Sequence, residues 1–112
     1  MLKTSPAELS AIVRLRDWQV TAIQEAFKVS FLPDDHLWLF GSRADLTKRG
    51  GDIDLYVETN YKDAALVVKA QSKFYTEMIK KLGEQKIDIV IKFNQTDLLI
   101  YKIAQREGIQ LL

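Results

Sequence analysis

Apolar positions along the chain fall into alternating helical and strand-like patterns. Leu9, Ile12, Val13, Val20, Ile23 and Phe27 recur at the spacing of one buried helical stripe. Ser5-Pro6-Ala7-Glu8 ahead of them has the form of a helix start, with Ser5 as N-cap, Pro6 in the first position and Glu8 closing a capping box. Pro33 ends that helix, because proline disfavours helical geometry in the residue before it. Leu37-Trp38-Leu39-Phe40 is a short apolar run that stops at Gly41 and predicts a buried strand. Asp52 to Glu58 alternates polar and apolar at its start and predicts a second strand. Asn60 to Asp63 is a turn. Leu66, Val67, Ala70, Phe74, Met78 and Leu82 mark another amphipathic helix, closed by Gly83. Lys86 to Lys92, dominated by Ile and Val, is a third strand. Asp97 to Arg106 is a last short helix, with Gly108 as a second C-cap candidate. Trp18, Trp38, Phe40 and Phe74 are expected in the core, and His36 at the surface. The fold class is α/β (α+β): a small mixed sheet of three or more strands packed with helices.

Length and composition narrow this little further. The 112 residues fit one domain, 1–112, and a partner subunit is compatible with so small a core. There are no cysteines, which excludes disulfides and cysteine-based zinc sites. The formal net charge of +1 comes from 16 basic and 15 acidic residues with no long block of one sign, so a nucleic acid is not expected as a direct partner. The stretch Met1 to Ser10, with Lys3, Pro6 and Glu8, has no apolar signal region. No run approaches the roughly 20 apolar residues that span a bilayer, and the expected location is the cytoplasm.

The chemistry concentrates between Gly41 and Leu55, GSRADLTKRGGDIDL. Gly41 allows a sharp turn after a strand and close approach of a ligand. Ser42 offers a hydroxyl, and the amides after it can form an anion-binding concavity. Arg43 offers a planar cation suited to phosphate oxygens. Asp52 and Asp54, two apart on a strand, point to one face with Cα atoms about 6.6 Å apart. Carboxylates so close repel unless a cation lies between them, and Mg²⁺ takes oxygen ligands from carboxylates and substrate phosphates. Asp88 interrupts a strand of Ile and Val, where an unpaired carboxylate is costly. It is the candidate third carboxylate; otherwise it is a solvated strand-end residue. Lys48 and Arg49 read as a solvated loop, or as replacement phosphate contacts.

Gly-Ser, a variable loop, Asp-x-Asp and a later strand aspartate together resemble the signature of the DNA polymerase beta-like nucleotidyltransferase superfamily. The short length, and Ile103 to Leu112 with its Arg-Glu-Gly followed by apolar residues, resemble the minimal nucleotidyltransferase branch. The resemblance runs from about Leu37 onward. It departs at Gly51, where the family often has Ser or Thr, and at Ala44-Asp45-Leu46, where Ala-Arg-Gly or Ala-Lys-Gly is common.

The resemblance implies a polymerase beta-like fold and transfer of a nucleotidyl group, expected to be AMP from ATP or another nucleoside triphosphate, to a hydroxyl. Gly41, Ser42 and Arg43 would bind the triphosphate. Asp52, Asp54 and Asp88 would be catalytic and hold Mg²⁺, or Mn²⁺ in its place. The larger relatives bind the acceptor with a further domain for which 112 residues leave no room. Minimal members are typically paired with a helical HEPN-type protein in a toxin–antitoxin couple, so the resemblance implies a HEPN partner modified on tyrosine, with a homo-oligomer also compatible. The alternative is a weakly catalytic or non-catalytic antitoxin that silences such a partner by docking.

Overall fold

The computed structural model describes residues 5–94 and 97–112. Lys3, read as part of the polar amino-terminal stretch, lies outside the described residues. The elements are α1 (Pro6–Ser10), α2 (Asp17–Ser30), β1 (His36–Phe40), a 3-10 turn (Gly41–Ala44), β2 (Ile53–Glu58), α3 (Ala64–Leu82), β3 (Ile87–Lys92), α4 (Leu99–Glu107) and β4 (Ile109–Gln110). The α/β class and the mixed sheet are as expected. The sheet order is β3-β2-β1-β4. β1 runs antiparallel to β2 and to β4, and β2 runs parallel to β3 with α3 as the crossover.

Alternation along the strands sends the two sheet faces to different neighbours. Leu37, Leu39, Ile53, Leu55, Val57 and Ile87 join the main core with residues of α1, α2 and α3. There Phe27, Phe31 and Phe74 pack with ring centroids 5.0 to 5.8 Å apart. The opposite face carries three rows across β1, β2 and β3: Phe40–Asp54–Asp88, Trp38–Tyr56–Val90 and His36–Glu58–Lys92. α4 covers the middle row, burying Trp38 and Tyr56 against Ala104 and Tyr101. The catalytic candidates therefore sit in the row that α4 leaves open.

The first helix differs from expectation. It is two helices, broken between Ser10 and Asp17. No proline or glycine breaks it; tertiary bonding does. Arg14 N donates to Arg43 O at 2.7 Å, and Arg14 Nη1 to Gly50 O at 2.9 Å. The segment instead alternates, with Val13 and Leu15 inward and Arg14 between them. Ile12, expected in the helical stripe, is 47% exposed. Trp18, expected in the core, is 53% exposed on the first turn of α2, and Leu66 is likewise exposed on α3.

β4 had no sequence signal. Two residues are too few to show a period, and it is fixed by pairing of Ile109 and Gln110 with Leu39 and Trp38. Leu111 N and Leu37 N extend the contact, donating to Leu37 O and Leu112 O at 2.7 and 3.0 Å. Gly108 caps α4, its N–H donating to Ala104 O at 2.8 Å. Among the described residues no helix is long and apolar enough to cross a membrane.

Asp35 ties the β1 entrance to the β2 exit. It is buried and accepts from Leu32 N at 2.9 Å, Thr59 Oγ1 at 2.6 Å and Asn60 N at 2.7 Å. Asp35→Ala leaves three donors without this acceptor and should destabilise the protein by about 1–3 kcal/mol. Urea unfolding measures it, and an unchanged midpoint would contradict the role.

Candidate active site

Two strands deliver the carboxylates. Parallel pairing of β2 with β3 sets Asp54 directly beside Asp88, and Asp52 immediately precedes β2. Neighbouring strands lie about 4.8 Å apart, so the pairing register brings the two carboxylates together. Burial raises the Asp54 pKa first, followed by the charge of Asp88 and that of Asp52, then hydrogen bonding to Asp88; Lys86 opposes these. Asp52 is ion-paired with Lys86 at 3.4 Å, and both side chains are half exposed or more. Among the described residues no group of three carboxylates and imidazoles already stands in a metal-binding cluster.

The turn after β1 closes over this pair. Gly41 has φ of +72°, in the left-handed region that favours glycine. A Cβ there would collide with the Asp54 carboxylate. Its backbone therefore approaches the carboxylate as no other residue could. Gly50, with φ of +141°, is constrained in the same way: a Cβ there would lie 2.6 Å from Ser42 Oγ. The loop glycines thus bring Gly41-Ser42, Gly50 and Asp54 into one small region. The first amides of a helical turn lack partners within it, which is what suits such a turn to an anion.

Arg43 is placed differently from a free phosphate cation. Its Nε and Nη2 donate to Gly51 O at 3.2 and 3.0 Å, and its Nη1 to Arg14 O at 2.7 Å. These contacts use three of the five guanidinium donors. Burial, and then the charge of Arg14, lower its pKa from the ordinary guanidinium range. Arg43 thereby clasps the loop before Asp52 to the break between α1 and α2. Asp45, an acid near the expected phosphate position, is folded back: its Oδ1 accepts from Thr47 N at 2.9 Å and Thr47 Oγ1 at 2.6 Å. Those bonds lower its pKa. Lys48 and Arg49 are exposed.

Of the six residues singled out from the sequence, Asp54 meets both Gly41 and Asp88, Asp52 and Ser42 flank them, and Arg43 braces the loop. Sequence reasoning missed Lys86 and Arg14. Lys86 could have been found from its position one residue before a strand parallel to the aspartate strand. Arg14 carries no local signal, because its partners are 29 and 36 residues away.

A family model described as polymerase beta, nucleotidyltransferase, matches residues 22–112, most of the chain. The chain belongs to the polymerase beta nucleotidyltransferase family. The match begins within α2 and takes in the whole sheet, the Gly-Ser turn and all three aspartates. No curated protein matches the chain. For a member of that family, the aspartates form a donor set of the kind a hard divalent cation takes. Carboxylate oxygens are its preferred ligands, and the repulsion that raises Asp54 is what a cation would relieve.

Two predictions follow from this geometry. The raised Asp54 pKa means its charged form costs stability: that cost is absent below the ordinary carboxylate pKa and appears as pH rises through the raised value. Asp54→Asn should therefore melt at or above the wild-type temperature at pH 7 without metal, with the gap closing below about pH 4. A large fall at pH 7 would instead show a structural role. Arg43→Ala should lower both melting temperature and nucleotide affinity, since it frees the loop at Gly51, and Arg43→Lys should not restore either because lysine lacks the fork. Thermal melts and calorimetry with ATP distinguish this from a purely phosphate-binding role, which would leave the melt unchanged.

Proposed function

We propose that this protein is a Mg²⁺-dependent enzyme that transfers the adenylyl group of ATP to a hydroxyl of a protein acceptor. One observation carries the reading: Asp54 and Asp88 stand side by side in the sheet, with the Gly41 backbone pressed against Asp54. A structural role would not favour two like charges at that spacing.

Asp52, Asp54 and Asp88 would hold the cation, which would neutralise charge on the triphosphate. Lys86, now paired with Asp52, stands beside them as a further cation for phosphate oxygens. Ser42 Oγ and the amides of the Gly41–Ala44 turn donate to the triphosphate, and Gly41 lets that turn lie against Asp54. Arg43 keeps the Gly50-Gly51 segment in place beneath Asp52. Asp88, the most exposed of the catalytic carboxylates along the strands, accepts the proton of the incoming hydroxyl. The acceptor oxygen bonds to the α-phosphorus, the bond from α-phosphorus to the bridging oxygen breaks, and pyrophosphate leaves.

The acceptor in this reading is a tyrosine on a helical HEPN-type toxin, with the present chain as cytoplasmic antitoxin. The support is the match to the nucleotidyltransferase family. A second reading, an antitoxin that acts by docking alone, is favoured by the Asp52–Lys86 pair and by the engagement of Arg43 with backbone carbonyls.

Intact-mass spectrometry separates the two. Mixed with a HEPN-type partner, ATP and Mg²⁺, the wild type should add adenylyl mass to that partner. Asp52→Asn/Asp54→Asn should form the same complex and add none. Silencing of the partner by both forms with no added mass would sink the enzymatic reading and leave docking.

A further inference from the structure

The catalytic row ends at an open sheet edge. Among the described residues β3 is the outermost strand, paired with β2 alone. Ile53 N donates to Lys86 O, and Thr59 N to Lys92 O, each at 3.1 Å. In a parallel ladder alternate residues turn both backbone groups toward the same neighbour. Asp88 and Val90 therefore bond toward β2, while Ile87, Ile89 and Ile91 direct their N–H and C=O outward. The far end is closed by Tyr101 Oη, which donates to Ile91 O at 3.3 Å. Among the described residues no such contact closes the end beside Asp88. Instead Ile87, Asp88 and Ile89 form one wall of a groove of about 470 Å³, and Gln71, Ser72, Tyr75 and Thr76 of α3 form the other.

We infer that the acceptor enters as an extended polypeptide segment that pairs with the open edge of β3 at Ile87 and Ile89 and sets a hydroxyl-bearing side chain beside Asp88. The inference rests on the proposed nucleotidyl transfer and names its acceptor class. Unpaired strand backbone is matched by another extended backbone, and such edges recruit peptides in this way. Residues opposite one another on neighbouring strands share a face, with Cβ atoms about 4.5–5.5 Å apart. A hydroxyl residue opposite Asp88 thus arrives on the carboxylate's side of the sheet. There its oxygen attacks the α-phosphorus, its proton passes to Asp88, and pyrophosphate departs. The groove walls supply Gln71, Ser72 and Thr76 for the outer backbone groups of the segment. They contain no lysine or arginine, which disfavours a nucleic-acid strand in the same place.

The test uses a seven-residue peptide of alternating threonine and valine with one central tyrosine, at millimolar concentration with ATP and Mg²⁺. Wild type should add adenylyl mass to it. The same peptide N-methylated at alternate amides, which cannot pair, should be modified at least tenfold less. Ile89→Pro removes an outward N–H without touching the β2 ladder. It should reduce transfer to the peptide at least tenfold while ATP affinity, read by calorimetry, stays within twofold of wild type. Hydrogen exchange on the wild type gives a readout that does not depend on that variant folding: the Ile87 and Ile89 amides should slow when the peptide is added. Equal modification of both peptides, transfer to an oligonucleotide hydroxyl in their stead, or normal ATP binding with no transfer and no slowing of exchange, would each overturn the edge inference. In the last case the nucleotide site itself stands. Absence of ATP and Mg²⁺ binding in the wild type overturns the underlying reading as well.

Discussion

The juxtaposition of Asp54 and Asp88 is the constraint on which the rest of the structure turns. Parallel pairing of β2 with β3 fixes it, and that pairing depends on α3 crossing between them over the main core. Two carboxylates in neighbouring register positions repel, and partial burial of Asp54 adds to the cost. The fold supports that cost with a large buried set on the opposite face, where Leu37, Leu39, Ile53, Leu55 and Val57 meet Ile23, Phe27 and Phe74. The carboxylates that strain the row are also the kind of ligand that a divalent cation would take.

The loop between β1 and β2 is organised around that pair. Gly41 is where it is because Asp54 leaves no space for a side chain, and Gly50 because its φ of +141° disfavours one. Arg14 and Arg43 exchange backbone and side-chain bonds that tie the loop to the amino-terminal segment. This explains why α1 and α2 are separate: continuing the helix through Arg14 would take its backbone N–H away from Arg43 O. The break in the helix and the placement of the loop are one event.

Much of this was legible beforehand, for reasons that differ by residue. The three strands of the central row and the long α3 helix announce themselves through local alternation and periodicity, and they appear within a residue or two of their expected limits. The grouping of Gly41, Ser42, Asp52, Asp54 and Asp88 was visible because a turn glycine and paired aspartates mean little separately and much together. What failed was long-range. Ile12 and Val13 fit a helical stripe, yet the Arg14–Arg43 bonds hold a turned, non-helical path that exposes Ile12 and buries Val13 and Leu15. Trp18 looked like core by residue type, but its place on α2 faces outward. β4 exists only through its pairing with β1, so no local pattern could show it. Arg43 was visible as a cation, whereas its carbonyl partners at Gly51 and Arg14 were not.

The central claim is that Asp54 and Asp88 form a cation site that serves a nucleotide. Calorimetric titration of Mg²⁺ into the protein with ATP present tests it most directly, with wild type, Asp54→Asn and Asp88→Asn compared. The account predicts saturable binding by wild type and its loss, by at least tenfold in affinity, in each variant while the fold remains intact by circular dichroism. Equal binding by all three proteins would contradict it.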